Sequence, residues 1–423
     1  MLLQFNFKNF KSFKDDTTLD MTATKSKEYE SHVIERGYER ILPVAAIFGA
    51  NASGKTNILE AFKFMQKYVL YSFGYGGENK RRGKTSLYSQ LTPFLFDTDS
   101  STSPSSFEVY FIIPEDSKEK TYNYGFTLDK NGVCEEWLNC KSKSSENARR
   151  IFYRNHDDND LSGIDKDNAG KNIMAALENE TLILSLGAKL KIKQLKMIYN
   201  WFYNNEVVDF GKPLENFILS ENLPKNFIDS KTVQEKVLDY FASFDPSIVG
   251  FNVEKIPNEN EDGALRAKVG AVHKMINGKE TVSIPLKMES AGTLKMLALF
   301  PALQEVLDKG GVLVVDELNS RLHPLLARNF VITFTNPNTN PNHAQLIFAT
   351  HDVWQLNSNL LRRDEVWFAD KNEQGVSSLY SLADFIDEDG DKIRKDENHE
   401  KNYLLGKYGA IPNMRTIKFL EED

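Results

Sequence analysis

The stretch Gly49-Ala-Asn-Ala-Ser-Gly-Lys-Thr56 sets two glycines, a lysine and a hydroxyl at the spacing G-x-x-x-x-G-K-[ST]. That set of groups suits a polyphosphate. Backbone N–H groups of a glycine-rich turn, with the N-terminus of a following helix, can surround several negative charges in a small volume. Lys55 would reach the β- and γ-phosphates, and the Thr56 hydroxyl would ligate Mg²⁺. Gly49, Asn51, Ser53, Gly54, Lys55, Thr56 and the adjoining Asn57 are the candidate nucleotide-binding residues. Downstream, Gly310-Gly-Val-Leu-Val-Val-Asp316-Glu317 is an apolar run ending in two acids. A buried strand can present a carboxylate at its C-terminal end, beside a phosphate loop. Asp316 would hold Mg²⁺ through water, and Glu317 would orient and polarise the attacking water. Gln345-Leu-Ile-Phe-Ala-Thr-His351 is a second such run, ending in an imidazole that could hydrogen-bond a γ-phosphate oxygen or that water. In Met288-Glu-Ser-Ala-Gly-Thr293, Ser290 is a helix N-cap and Gly292 permits close backbone approach. An exposed helix start of this kind can bind a γ-phosphate. Taken singly, the serine reads as a plain cap and the histidine as a structural residue; the order and spacing of the four segments join them.

Particular elements must carry these groups. Ile41–Phe48 reads as a buried strand and Asn57–Met65 has apolar residues at helical spacing, so the phosphate loop lies between strand and helix. Residues 2–20 read as two short strands around Lys8-Asn-Phe-Lys-Ser-Phe13. From Phe107 to Tyr153 the apolar period is two, with a hairpin signal at Asp129-Lys-Asn-Gly132, which predicts an antiparallel sheet. Residues 171–245 read as mostly helical, residues 247–287 as strands, and Ala291–Phe368 as helix, strand, helix, strand. The expected fold is α/β, a mixed sheet with an antiparallel β subdomain and an inserted helical region. The division is residues 1–154, an N-terminal lobe with the phosphate loop; 155–245, the insertion; and 246–423, a C-terminal lobe with the remaining site segments. Gly74–Lys84 and Thr98–Ser106 read as loops, and the basic run Lys80–Lys84 as a solvated one. Asp384 and Asp387-Glu-Asp-Gly-Asp391 read as a solvated acidic turn rather than a nuclease centre.

The 423 residues allow two or three domains' worth of core. No apolar run reaches the roughly 20 residues of a membrane span, and the N-terminus lacks a signal-peptide core. Cys134 and Cys140, the only cysteines, would lie about 20 Å apart on one strand, too far for a disulfide. The cytoplasm is the expected compartment, without membrane association. A formal net charge of −8 excludes wholesale coating of DNA and leaves room for a weak, salt-sensitive DNA contact.

In this order the segments resemble the ABC-type ATPases: phosphate loop at Gly49–Thr56, signature at Ser290-Ala-Gly-Thr293, acidic strand at Leu313–Glu317, D-loop at Ser320-Arg-Leu-His323, switch histidine at His351. Asn9-Phe-Lys-Ser-Phe13 resembles the opening of the SMC, RecF and OLD branch. The nearest likeness is to compact bacterial ATPases of the RloA/AbiL type, the AAA15 or AAA21 group, supported by Asp316-Glu-Leu-Asn-Ser-Arg-Leu-His-Pro324, Arg362–Phe368 and Tyr403–Pro412. The likeness is thin across 155–285, and the signature has Ala-Gly-Thr where Gly-Gly-Gln is common. No Q-loop glutamine stands out; Gln90 is the candidate. The resemblance implies a P-loop NTPase head of ABC type that hydrolyses ATP with Mg²⁺. It places Lys11 near the nucleotide and Ser320 and His323 in the D-loop. It implies a homodimer, or higher homo-oligomer, around two ATP molecules, with Ser290, Gly292 and Thr293 of one subunit facing the nucleotide held by Lys55 of the other. By analogy the head is a nucleotide-gated switch in anti-phage defence that controls a separately encoded effector, a Toprim- or RloB-like nuclease. The alternative is a RecF- or Rad50-like repair ATPase that clamps DNA. Sheet and short helices stand where coiled-coil arms would be inserted, and too few residues follow His351 for a Toprim domain, so neither is expected within the chain.

Overall fold

Strands with no polar interruption are buried on both faces, and in the computed structural model they form one parallel layer beneath the candidate site. The structure describes residues 1–74, 91–115, 118–142, 145, 147–164, 169–211, 223–257, 265–276, 278–356, 359–386, 393–394 and 397–412. Gln90, Lys80–Lys84 and Asp387–Asp391 lie outside them. In chain order the strands are β1 (Leu2–Lys8), β2 (Thr17–Asp20), β3 (Ile34–Arg36), β4 (Glu39–Ile41), β5 (Val44–Phe48), β6 (Ser105–Glu115), β7 (Lys118–Asp129), β8 (Gly132–Ser142) and β9 (Arg149–Arg154). They continue with β10 (Asn159–Asp160), β11 (Glu206–Asp209), β12 (Ile248–Pro257), β13 (Leu265–Lys274), β14 (Thr281–Pro285), β15 (Val312–Asp316), β16 (Gln345–Ala349), β17 (Val366–Lys371) and β18 (Ser377–Ser381).

The site-bearing sheet has the order β11-β15-β16-β5-β17-β18. Every pairing in it is parallel except that of β17 with β18, so it is a mixed sheet. Each residue of β5, β15 and β16 is buried, the pattern of a sheet covered on both sides. Ala45, Ile47, Val314 and Ile347 face helix Lys55–Tyr71. Val44, Ala46, Phe48, Val315 and Phe348 face helices Ala291–Lys309 and Pro324–Thr335. A second sheet, β10-β9-β8-β7-β6-β1-β2, is antiparallel throughout. Alternate residues Phe107, Val109 and Phe111 of β6, and Tyr122, Tyr124 and Phe126 of β7, pack on the other side of helix Lys55–Tyr71. That helix is therefore the filling between the two sheets.

Helices Ile183–Lys189, Lys193–Tyr203 and Lys231–Ala242 lie where helical spacing places them. Within the same region Glu206–Asp209 departs from it: these four residues form β11 and extend the site-bearing sheet. A smaller core under β12-β13-β14 joins helix Lys231–Ala242 to the flank of helix Ala291–Lys309 through Phe241, Leu297 and Phe300. Cys134 and Cys140 both lie on β8 and form no disulfide. No helix among the described residues is long and apolar enough to cross a membrane.

One side chain stitches the two large sheets together. Gln345 of β16, 1% exposed, accepts from the Leu2 N–H at 2.6 Å and donates to the Leu2 and Leu42 carbonyls at 2.9 and 3.0 Å. Replacing Gln345 by Leu keeps the volume and strips these buried backbone groups of their partner, at a cost of about 1–3 kcal/mol for each group left unmet. Urea unfolding of Gln345→Leu should show a loss of at least about 2 kcal/mol; a loss of only a few tenths would mean that the sheets hold each other without this bridge.

Candidate nucleotide site

The phosphate loop is seated where no side chain fits. At Gly49 (φ 154°) a Cβ would come within 2.3 Å of the Ala369 carbonyl oxygen, and at Gly54 (φ 113°) within 2.6 Å of Ser377 Oγ. Gly54 caps helix Lys55–Tyr71, whose first turn follows the loop directly. Lys55 is buried and donates to the carbonyls of Gly49 and Ala50, both at 2.8 Å. Burial lowers its pKa to about 8, against the pull of Glu317 and Asp316. A run of hydroxyls braces the loop from below. Ser377 Oγ donates to the Ser53 carbonyl at 2.7 Å and lies 2.8 Å from Ser12 Oγ, and Asn57 Nδ2 donates to Ser12 Oγ at 2.7 Å. Through Ser12 the N-terminal segment abuts the loop. Lys11, which the resemblance places by the nucleotide, is ion-paired with Glu60 one turn into the loop's helix. The exposed Asn51 and Thr56 complete the loop's outer surface.

Two strands away, β15 delivers Asp316 and Glu317. Asp316 is buried, and burial raises its pKa; Asp209 and Glu317 push the same way, while a hydrogen bond with the Thr56 side chain opposes. Glu317 leaves the strand with φ 55°, a left-handed conformation that turns its carboxylate towards His351, with Nε2 to Oε1 at 3.3 Å. That hydrogen bond holds the Glu317 carboxyl below its ordinary pKa, so it is ionised at neutral pH. Phosphate loop, acidic pair and histidine thus meet at one edge of the sheet.

The remaining candidates occupy a neighbouring surface. Ser290 is exposed at the start of helix Ala291–Lys309; its Oγ accepts from the Thr293 N–H at 3.1 Å and lies 2.8 Å from Thr293 Oγ1. It makes these bonds within its own helix. At Gly292 a Cβ would come within 3.1 Å of the Arg321 carbonyl, so the glycine lies against the turn that follows Glu317 in its own chain. The half-buried Ser320 donates its N–H to the Glu317 carbonyl at 3.0 Å, and the exposed His323 caps helix Pro324–Thr335 by accepting from the Leu325 N–H at 3.3 Å.

Asp209 is a site residue that sequence spacing does not mark. It ends β11 directly opposite Asp316 and is equally buried. The Gly211 N–H donates to its Oδ1 at 2.9 Å, and a Cβ on Gly211 would lie 3.2 Å from Asp209 Oδ1 and 3.7 Å from Asp316 Oδ2. The signal was present: Val207-Val-Asp209 repeats Val314-Val-Asp316 residue for residue. Asp209, Asp316 and the Thr56 hydroxyl are hard oxygen donors, the kind Mg²⁺ takes, so the residues fit that ion. Among the described residues no three His, Cys, Asp or Glu side chains converge to hold a metal unaided, so a bound Mg²⁺ would draw further ligands from water and phosphate oxygens.

Over residues 44–353 the chain matches the family described as "AAA domain, putative AbiEii toxin, Type IV TA system". No curated protein matches it. Among solved structures it is similar to an SMC head, from the crystal structure of that head bound to the C-winged helix domain of ScpA. The identity is 16% and the TM-score 0.42, with 90% of this chain and 97% of that one covered.

The depressed Lys55 pKa has a measurable consequence. The ammonium is the form that meets phosphate, and it is present below a pH of about 8. Above that value binding must first take up a proton, so the dissociation constant of a non-hydrolysable ATP analogue should climb by up to about tenfold per pH unit. Calorimetry in two buffers of different ionisation heat should show the proton taken up on the alkaline side. An affinity that stays flat through that range would show Lys55 already fully charged before the phosphates arrive.

Proposed function

This chain belongs to the AAA domain family of AbiEii type, and we propose from that premise that it binds ATP with Mg²⁺ and hydrolyses it as a head that pairs around the nucleotide. The observation that carries the reading is the convergence of Lys55, Asp316 and the Glu317–His351 pair at one edge of four adjacent parallel strands. The loop N–H groups and Lys55 receive the triphosphate. Thr56, Asp316 and the neighbouring Asp209 would hold Mg²⁺, which would neutralise phosphate charge and polarise the phosphoryl group. Glu317, ionised, takes a proton from the attacking water, and His351 hydrogen-bonds the γ-phosphate end. Lys11, whose neighbour Ser12 is bonded to Asn57 and Ser377 and which is itself paired with Glu60, would turn to the nucleotide by changing partner.

Support for pairing comes from what the chain leaves exposed around the signature and D-loop. Ser290 and His323 are exposed, and so are the apolar Met288, Leu325 and Trp354. A second head bringing its phosphate loop to Ser290 would cover such a surface. In the proposed division the lobes are 1–154 and 246–423, and the insertion 155–245 lends β11 to the site. The family description names a toxin of a toxin–antitoxin system; the reading of the head as a switch in phage defence whose nucleotide state gates a separate effector is made by analogy.

Glu317→Gln keeps shape and hydrogen bonding and removes the charge that takes the proton. Phosphate release should fall about 10²–10⁴-fold, and Mg-ATP should convert the protein to a stable larger species by size exclusion with light scattering. Adding Ser290→Arg should abolish that species while the monomer still binds labelled ATP analogue. Wild-type phosphate release by Glu317→Gln would remove Glu317 from the chemistry; slow release with no change in assembly would retire the pairing. The effector reading predicts that a protein encoded beside this one co-purifies preferentially with the trapped Glu317→Gln form.

Asp209→Asn tests the second carboxylate. Titration of Mn²⁺ by electron paramagnetic resonance, with ATP analogue present, should show affinity weakened about 10–100-fold, as for other groups that support a metal site. The metal-free variant should melt no lower than wild type, because a like charge beside the buried Asp316 has gone. Unchanged Mn²⁺ affinity would leave Asp209 with no part in holding the ion.

A further inference from the structure

The helix that begins at Ser290 reaches back to the catalytic turn of its own chain through one side chain. Lys295 is 6% exposed and sits among the buried Met296, Leu297, Ala298 and Leu299. Its Nζ donates to three carbonyls, those of Glu317 at 2.7 Å, Leu318 at 2.9 Å and Ser320 at 2.8 Å. The same nitrogen lies 4.2 Å from the centroid of the Phe210 ring, the residue after Asp209. Burial draws the Lys295 pKa down to about 7, and Glu317 raises it. The bonding pattern favours the charged form: an ammonium has three N–H donors for the three acceptors, whereas a neutral amine has two. A positive charge over the Phe210 ring is favourable as well.

The contact is a docking of faces rather than one long side chain. Gly292 stands three residues before Lys295, on the same side of the helix, and lies against the Arg321 carbonyl. Residues 292 and 295 together grip the turn from 317 to 321. That turn contains two left-handed non-glycine residues, Glu317 (φ 55°) and Arg321 (φ 62°). Such backbone persists only where its surroundings enforce it. The Glu317 φ decides where its carboxylate points, and the three Lys295 bonds close around the carbonyls of this same segment.

We propose that Lys295 is a positioning residue for ATP hydrolysis: it clamps the left-handed turn that aims Glu317 at His351, and it ties that turn to the signature helix of the same chain. The proposal rests on the reading of Glu317 as the group that activates water. Lys295 spends its hydrogen bonds on backbone carbonyls, and its charge acts on the Glu317 and Asp316 carboxylates without an ion pair to either, so its loss should spoil the chemical step and largely spare nucleotide capture. An Arg at the same place keeps charge and donors on a differently shaped head, and should restore part of what Met removes.

The test compares full-length Lys295→Met and Lys295→Arg with wild type and Glu317→Gln. It reads thermal melting, the Kd of a labelled ATP analogue with Mg²⁺, and kcat and KM for phosphate release. For a folded Lys295→Met the expected result is a kcat lowered about 100-fold, the cost of a misplaced group at a reacting centre, with analogue affinity and KM changed less than about threefold. Lys295→Arg should lie between Met and wild type. If Lys295→Met fails to fold, Lys295→Arg decides: lowered kcat at unchanged analogue affinity supports the proposal, and wild-type kcat overturns it. A folded Lys295→Met with wild-type kcat also overturns it, as does one that loses analogue affinity in step with activity. Glu317→Gln separates the two levels: if it hydrolyses ATP like wild type, the reading of Glu317 has failed; if it is inactive while Lys295→Met is not, only the positioning role has.

Discussion

Everything at the candidate site hangs on the register of four parallel strands. Asp209 of β11 lies opposite Asp316 of β15, Val315 of β15 opposite Phe348 of β16, and Phe348 opposite Ala46 of β5. Parallel strands end at the same edge of the sheet, so residues immediately beyond them are neighbours however far apart they are in the chain. Asp316 and Glu317, Thr350 and His351, and the phosphate loop after Phe48 are gathered by this rule alone. A slip of one residue in any pairing would turn its side chains to the opposite face and withdraw its polar terminus. The continuous apolar character of β5, β15 and β16 is the cost of that arrangement, since both faces are covered by helices.

The charges at this edge are held away from their ordinary balance. Burial weakens the charge on Lys55 and on Asp316, whereas the hydrogen bond from His351 strengthens that on Glu317. Asp209 adds a second buried carboxylate beside Asp316. Side by side, the two acids favour a cation, and the lysine behind the loop favours an anion. A nucleotide with its metal ion offers both, which is the chemistry behind the proposed function. The loop that must receive it is wedged rather than loose, with Gly49 on the Ala369 carbonyl, Gly54 on Ser377, and the Ser12–Ser377–Ser53 bonds fixing its underside.

What the sequence makes legible is whatever a short window contains. The phosphate loop, the acids after β15, the histidine after β16 and the cap at Ser290 each announce themselves within ten residues. So does the antiparallel sheet, because period two is local. Asp209 does not, because β11 is four residues long and sits among helices, and its meaning comes only from pairing with a strand a hundred residues later. Lys295 is hidden for another reason: a lysine on an amphipathic helix reads as its solvent side, and only the fold shows three carbonyls waiting for it. Lys11 is placed near the nucleotide only by the family resemblance, and its partner Glu60 is not legible at all, since a helical position gives no sign of what lies across from it.

The pairing of Glu317 with His351 is informative because it is weak. Both side chains are about one-third exposed, at 32% and 34%, and the contact is 3.3 Å long. Solvent screens such a pair, and exposed ion pairs contribute about 0–1 kcal/mol. A triphosphate could therefore take His351 away from Glu317 at little cost. The turn beneath them is the opposite case. Lys295 spends all three of its donors on that turn's carbonyls, inside the protein and away from competing water. The side chains at the proposed reacting centre are thus free to change partners while the backbone that aims them is not. A site built this way can respond to nucleotide by exchanging hydrogen bonds alone, and its readiness is set by the packing of helix Ala291–Lys309 against the turn after β15.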